Sequence, residues 1–432
     1  MLLEFSVKNY LSFKDEVTLS LRGREGVTGH EGDSTFDVAG EPILKSAVIY
    51  GANASGKSNL IKAMQFMKHF VLNSAIGQQS EAEIDADNFK LSGETADNSS
   101  QFEITFVHEN YYYRYGFELD NKNIYREWLY QAREDSEQEE FLFVRERQSV
   151  KFGQYFDKEV IFFVDRREKK KEFKRLNKQL GLVRETALLL SVMAQFDGDI
   201  SRKLMRWFKS EFNVLFASEE KTFKQHSEEG LKDTEFKGKI LDFLKIADTG
   251  IEDIKLLPLP FRRVVITSHS IYDSDGKVIG KAEWFMNGNE SEGTQKLFAL
   301  SAPIIDALEH GKTLVIDELD SKLHPVMMRF ILNLFNSAEK NPKNAQLIFN
   351  SHDANLLSKR FFRRDQIWFT EKNEYGATDL YSLADFKDLT EEGIDNETFK
   401  KDYFQGRYGA VPFTGDFSVF QKAEGDNNAS ED

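Results

Sequence analysis

The residues with the plainest chemical purpose form one octet, Gly51-Ala52-Asn53-Ala54-Ser55-Gly56-Lys57-Ser58. It fits the phosphate-loop pattern G-x-x-x-x-G-K-[ST] at every fixed position. Gly51 and Gly56 permit a tight turn whose amide hydrogens face inward and hold phosphate oxygens. The helix that follows adds its positive N-terminal end. Lys57 brings a point charge to the β- and γ-phosphates, and Ser58 a hydroxyl ligand for Mg²⁺. The flanks agree with this chemistry. Residues 44–50 form a mostly apolar run ending at a glycine, as a buried parallel strand does. Leu60, Ile61, Met64, Met67 and Val71 then recur at helical spacing.

A phosphate loop needs a second strand that brings a carboxylate to the metal. Residues 313–318, TLVIDE, supply one: apolar residues and then two acids. Asp317 is the expected Mg²⁺ ligand, through water, and Glu318 the expected general base on the attacking water. Lys57 and Asp317 stand 260 positions apart. Such a gap implies a large insertion between two halves of one nucleotide-binding core.

The elements that must position these groups can be read along the chain. Leu3, Phe5 and Val7, then Val17, Leu19 and Leu21, alternate as two opening strands. Residues 100–165 are strand-like in QFEITFV, YYYRYGFEL, EWLYQ, FLFVRE and EVIFFV, with EDSEQEE as a solvated loop. Residues 166–184 carry nine basic and two acidic residues, and 185–250 look largely helical. Strands return in RRVVITSHSIY and KVIGKAEWF, joined by a turn at Asp273-Ser274-Asp275-Gly276. The end alternates strand and helix: TLVIDE, PVMMRFILNLF, AQLIFNS and a strand near residues 365–369. The expected fold is α/β, a P-loop NTPase head with an inserted β-rich and helical lobe. Its expected parts are residues 1–165 and 260–420 as the two halves of the head, 166–259 as a helical insertion, and 421–432 as a disordered tail.

Composition narrows the function classes. The 432 residues include no cysteine, 72 acidic and 57 basic residues, and a formal charge of −15. Disulfides, iron–sulfur clusters and cysteine-ligated zinc are excluded, which fits a cytoplasmic protein. The longest apolar stretch, near 188–193, is too short to cross a bilayer, and the opening lacks a signal peptide's regions. The acidic balance argues against a surface that coats nucleic acid throughout.

These motifs together resemble the ABC-type ATPase heads of SMC, RecF and OLD proteins, and most closely the bacterial AAA-type ATPases of the RloA and AbiL kind found in phage-defence loci. The resemblance spans nearly the whole chain. Val7-Lys8-Asn9-Tyr10-Leu11-Ser12-Phe13 resembles the opening strand and turn of these heads. Gly51 to Asn59 resembles Walker A, so Gly51, Asn53, Ala54, Ser55, Gly56, Lys57, Ser58 and Asn59 would hold ATP. Asp317-Glu318 resembles Walker B, with Ser58 and Asp317 as the metal pair. Leu319-Asp320 and Leu323-His324-Pro325 resemble the D-loop and the helix after it. Ser351-His352-Asp353 resembles the switch, which would make His352 catalytic beside Glu318 and Lys57. Gly406-Arg407-Tyr408-Gly409-Ala410-Val411-Pro412 resembles the subgroup's C-terminal motif.

Ser291-Glu292-Gly293-Thr294-Gln295-Lys296 is similar to the ABC signature. By resemblance, Ser291 and Gly293 would meet the γ-phosphate bound to a second copy, so that ATP joins two heads. Glu292 stands where many relatives have glycine, and an ordinary N-capping serine is the alternative for Ser291. Pro303 should kink the helix that follows. A Q-loop glutamine is not identified between Gln101 and Gln131. Tyr10 or Phe13 could stack on adenine, the alternative being that both are core.

The resemblance implies a homo-oligomer, at least a dimer of heads, and a separately encoded effector, a nuclease by expectation. OLD nucleases carry a Toprim domain after the ATPase, and the residues following the His352 unit are too few for one. The basics between Arg166 and Arg175 are the candidate surface for DNA or RNA, a partner protein being the alternative. Long heptads of SMC type are absent. A RecF-like repair ATPase and a non-hydrolysing scaffold that sequesters a toxin are the competing functions.

Overall fold

The computed structural model describes residues 1–27, 29, 33–76, 83–95, 98–136, 138–156, 159, 183–216, 219–247, 249–259, 262–386 and 398–411. The basic stretch after Arg166, most of the EVIFFV run, Pro412 and the 421–432 tail lie outside them.

In chain order the elements are β1 (Leu2–Lys8), β2 (Val17–Ser20), β3 (Thr35–Val38), β4 (Glu41–Leu44), β5 (Ser46–Gly51), α1 (Lys57–Asn73), β6 (Ser100–His108), β7 (Tyr111–Leu119), β8 (Ile124–Arg133), β9 (Glu140–Glu146) and β10 (Ser149–Phe152). There follow α2 (Leu189–Gln195), α3 (Asp199–Arg206), β11 (Phe212–Leu215), α4 (Glu220–Gly230), α5 (Thr234–Ile246), β12 (Asp253–Leu259), β13 (Arg262–Tyr272) and β14 (Val278–Phe285). The last are α6 (Glu292–His310), β15 (Thr313–Ile316), α7 (Pro325–Asn336), β16 (Gln346–Asn350), β17 (Ile367–Lys372), β18 (Thr378–Ser382) and α8 (Thr398–Phe404).

Two sheets organise the mixed α/β fold. One runs β11-β15-β16-β5-β17-β18, parallel throughout except that β18 pairs antiparallel with β17. Every residue of β5, β15 and β16 is buried, as expected of parallel strands covered on both faces. The other sheet is an antiparallel meander, β10-β9-β8-β7-β6-β1-β2. Helix α1 packs between them through Leu60, Ile61, Met64, Met67 and Val71, all buried. On the far face of the parallel sheet, α6 and α7 complete a second core.

The two sheets are stitched by Gln346 at the start of β16. Its Oε1 accepts from Leu2 N at 2.7 Å and Thr313 Oγ1 at 2.9 Å, and its Nε2 donates to Leu2 O and Leu44 O. A buried amide with both ends satisfied is a specifying contact, because any other register would leave those groups unpaired.

Strand β11 lies inside the largely helical stretch 185–250 and supplies the parallel sheet's edge. Helix α6 runs unbroken through Pro303. Proline removes the hydrogen bond to the carbonyl four residues earlier. Ser227 of α4 meets that need, since its buried Oγ donates to Ala299 O at 3.2 Å. The carbonyl that Pro303 leaves without its helical donor is thus satisfied by a hydroxyl from a neighbouring helix.

Candidate functional site

Parallel strands present their carboxyl ends along one edge, where ligands of open α/β sheets bind. Register places Gly51 of β5 beside Thr370 of β17, and Asn350 of β16 beside Ile49. Ile316 of β15, just before Asp317, lies beside Phe349. The P-loop, the two acids and Asn350 therefore come to one edge.

The loop itself is tightly held. Gly56 takes φ 113°, and a Cβ there would lie 2.5 Å from Thr378 Oγ1. Only glycine meets both conditions. Thr378 Oγ1 donates to Ser55 O and shares a hydroxyl hydrogen bond with Ser12 Oγ, both at 2.8 Å, and Asn59 Nδ2 donates to Ser12 Oγ at 2.8 Å. Ser55 and Thr370 share a hydroxyl hydrogen bond of 2.7 Å. No side chain caps α1, so its first amides are not committed to one and suit an anion. Asn53 and Ala54 are exposed at the crest of the loop, Ala54 with a left-handed φ of 62°.

Lys57 is 5% exposed, and its Nζ donates to Gly51 O at 2.8 Å and Ala52 O at 3.0 Å. Burial lowers its pKa to about 8, against the opposing pull of Asp320, Asp317 and Glu318. The ammonium is thus stored across the loop, in the field of the very acids that face it.

Asn350 joins the two halves of the site. Its Nδ2 donates to Asp317 Oδ1 at 2.5 Å and reaches Ser58 Oγ at 3.5 Å. Its Oδ1 accepts the backbone N–H of Glu318. Glu318 has φ 53°, a left-handed conformation that costs a non-glycine residue about 1–3 kcal/mol. The asparagine hydrogen bond helps hold that strained backbone, while the Glu318 side chain stays exposed.

Asp320 organises the switch segment. Its Oδ2 accepts from Ser351 Oγ at 2.9 Å, His352 N at 2.7 Å and Asp353 N at 3.1 Å. His352 is exposed. Tyr50, from the P-loop strand, donates to Asp353 O at 3.1 Å. The loop after β15 and the turn after β16 are thus tied together.

The signature residues are placed differently. Ser291 Oγ accepts from Thr294 N at 3.1 Å and pairs with Thr294 Oγ1 at 2.8 Å, so it caps α6. Glu290 anchors the preceding turn: its buried carboxylate meets His269 Nε2 at 2.7 Å and accepts from Thr267 Oγ1. Among the described residues, no hydrogen bond or ion pair joins Ser291 or Gly293 to the chain's own P-loop.

Tyr10 and Phe13 do not face this edge. Phe13 is fully buried, and Tyr10 packs on Phe66 and Phe102 at centroid distances of 5.3 and 5.0 Å. Both are core residues, the second of the two readings open from sequence. A cavity of about 300 Å³ opens instead beside the first turn of α1, lined by Leu11, Ser12, Asn59, Asn88, Phe89 and Gly376 among others. Gln101 and Gln131 sit in the antiparallel sheet, opposite Lys8 and Tyr113 respectively. No described contact carries either to the P-loop.

Residues 46–358 match the family described as "AAA domain, putative AbiEii toxin, Type IV TA system". The chain belongs to this family. No curated protein matches it. Among solved structures it is similar to the SMC head domain from Thermotoga maritima, at 12% identity and TM-score 0.39, over 88% of this chain and 98% of that one. It is also similar to the recombination mediator protein RecF with ATP, at 14% identity and TM-score 0.26, over 88% and 97% of the two chains. No helix among the described residues is long and apolar enough to cross a membrane.

Proposed function

We propose that this chain binds and hydrolyses ATP with Mg²⁺, associates through its heads, and controls a separately encoded effector, a nuclease, in phage defence. The observation that carries the ATPase reading is Asn350, which spans Ser58 on one side and Asp317 and Glu318 on the other. A triphosphate on the P-loop amides would have its terminal phosphate at that junction. The family description, which names a toxin and a type IV TA system, supports a partner-controlled role.

The donor set fits Mg²⁺. This ion keeps several waters and takes only one or two protein ligands beside phosphate oxygens. Ser58 Oγ and Asp317 Oδ1 supply that pair, brought to one amide nitrogen by Asn350. Magnesium there would neutralise charge on the β- and γ-phosphates. Lys57 leaves the loop carbonyls to meet the same oxygens. Glu318, exposed at the strand end, orients a water in line and accepts its proton. Asp320, two residues after Glu318, accepts the His352 N–H and so links Glu318's loop to the switch segment. The cavity beside Ser12 and Asn59 holds the nucleoside, with Leu11 and the exposed Leu91 offering apolar surface to the base.

Turnover of ATP by the purified chain tests this reading. Glu318→Gln should lower the rate by a factor of about 10²–10⁴, a typical contribution of a general base, while retaining nucleotide. Retained ATP should also hold copies together, read as a larger species by light scattering. A pull-down with this trapped variant, compared with wild type, identifies the effector. Wild-type turnover by Glu318→Gln would remove the assignment.

A further inference from the structure

Strand β14 is the edge of a three-stranded sheet, β12-β13-β14. It pairs antiparallel with β13 on one side and, among the described residues, with no strand on the other. The ladder itself shows which backbone groups are left over. Met286 N donates to Val265 O at 2.9 Å, which makes these two a hydrogen-bonded pair. Such pairs alternate with non-bonded ones along an antiparallel ladder. The N–H and C=O of Phe285, Glu283 and Lys281 therefore point away from β13. At Phe285 they are taken by Asn289, whose Oδ1 accepts at 3.0 Å and whose N–H donates at 3.1 Å. At Glu283 and Lys281 they face outward as a template for another strand.

The side chains on this edge invite pairing. Val278, Ile279, Trp284 and Phe285 are between 41% and 64% exposed. Edges that avoid a partner commonly carry lysines or proline. Strand β14 instead carries opposite charges two residues apart. Lys281 Nζ lies 4.0 Å from Glu252 Oε2, and Glu283 Oε1 accepts from Lys255 Nζ at 3.0 Å, yet both side chains stay more than half exposed.

The strand is its own complement. Two copies laid antiparallel about Ala282 bring Lys281 of each opposite Glu283 of the other. The same register sets Ile279 opposite Phe285 on that face. On the other face Trp284 meets Gly280, where a Cβ would have nothing nearer than Ile271 Cδ1 at 3.7 Å. Lys281 and Glu283 are also the residues with outward backbone groups, so this register forms hydrogen bonds and ion pairs together. A slip of one residue sets outward groups against inward ones. A slip of two sets Lys281 against Lys281, or Glu283 against Glu283, which is repulsive. We propose that β14 joins this chain to a second copy of itself, as a two-fold symmetric antiparallel sheet centred on Ala282. The contact is isologous, the same patch serving both copies. It uses no nucleotide, so it is separate from the ATP-dependent association above and does not rest on it.

Sedimentation of the full chain, without nucleotide and with a chelator, tests this. A strand edge with a few flanking side chains is a small interface, so the wild type should form a weak dimer, with Kd about 1–100 μM. Lys281→Glu and Glu283→Lys each set like charges opposite one another, and each should raise Kd about tenfold or more. Mixed together, these two variants present opposite charges at both positions. The mixture should dimerise with Kd within about threefold of wild type. The double variant Lys281→Glu/Glu283→Lys should self-associate likewise. Association restored in this way excludes misfolding as the cause of the single-variant losses. Single variants that dimerise like the wild type overturn the proposal, and so does a mixture that stays monomeric. A wild type that is monomeric without nucleotide overturns it whether or not ATP joins the heads.

Discussion

The P-loop and the signature turn are both glycine-containing turns at helix N-termini, yet they are built in opposite ways. The P-loop is closed from within the chain. Hydroxyls from Ser12, Thr370 and Thr378 brace it, Lys57 spans it, and no side chain caps its helix. At the signature turn, Ser291 spends its hydroxyl on its own helix cap, and Ser291 and Glu292 are exposed. One turn is braced and left uncapped at the point where an anion would bind. The other is capped and directed outward.

Lys57→Ala should break the first side of this contrast most severely. It removes charge-assisted hydrogen bonds worth about 1.5–3 kcal/mol each, so ATP affinity should drop roughly 10- to 100-fold. Isothermal titration with a non-hydrolysable analogue reads this directly. Unchanged affinity would mean that Lys57 stays with the loop carbonyls when nucleotide is present. Asn350→Ala should come next. It leaves Asp317 without its donor and releases the strained backbone at Glu318, so kcat should fall about tenfold with a stability loss of about 1–3 kcal/mol. A stability loss without a change in kcat would show that Asn350 is scaffolding alone.

The unequal construction also explains what could be read from residue order. The P-loop and the acids after β15 are legible because each is a short local pattern on an apolar strand, and β5, β15 and β16 show the continuous burial their composition suggests. Asn350 carries no pattern. One asparagine at a strand end acquires meaning only when β16 is known to lie between β5 and β15. Strand β11 was hidden because four residues, FNVL, inside a helical stretch give too short a period. Of the two readings open for Tyr10 and Phe13, the core one holds, because both rings pack inward. The rescue of Pro303 by Ser227 crosses between two helices far apart in sequence. Local chemistry was visible, and partners supplied from distant segments were not.

The signature side is sharpened by two substitutions at Ser291. Ser291→Ala removes the cap of α6 and should cost about 1 kcal/mol of stability. Ser291→Asp keeps an N-cap acceptor, so stability should return. An acid facing a γ-phosphate from a second copy should nonetheless abolish ATP-dependent association. If Ser291→Asp restores both the Tm and the association, the serine is a cap only, and the outward-facing turn has no role in joining heads.

The smallest effect concerns Lys57 in the absence of nucleotide. Burial lowers its folded pKa to about 8, while the unfolded chain keeps the ordinary value near 10.5. Between these values the unfolded state binds the extra proton, so the contribution of Lys57 to stability rises with pH. Below about pH 8 both states are protonated, and the folded state carries the full cost of the buried charge. Lys57→Met lacks this titration. Its Tm minus that of the wild type should be flat from pH 6 to about 8 and then decrease toward pH 10. A difference that stays constant, or grows with pH, would mean that the ammonium is not held in the buried position across the loop. The contrast between a braced P-loop and an outward signature turn would then lose its first term. The same series repeated with saturating ATP analogue should show the decline displaced to higher pH, because phosphate charge favours the protonated lysine.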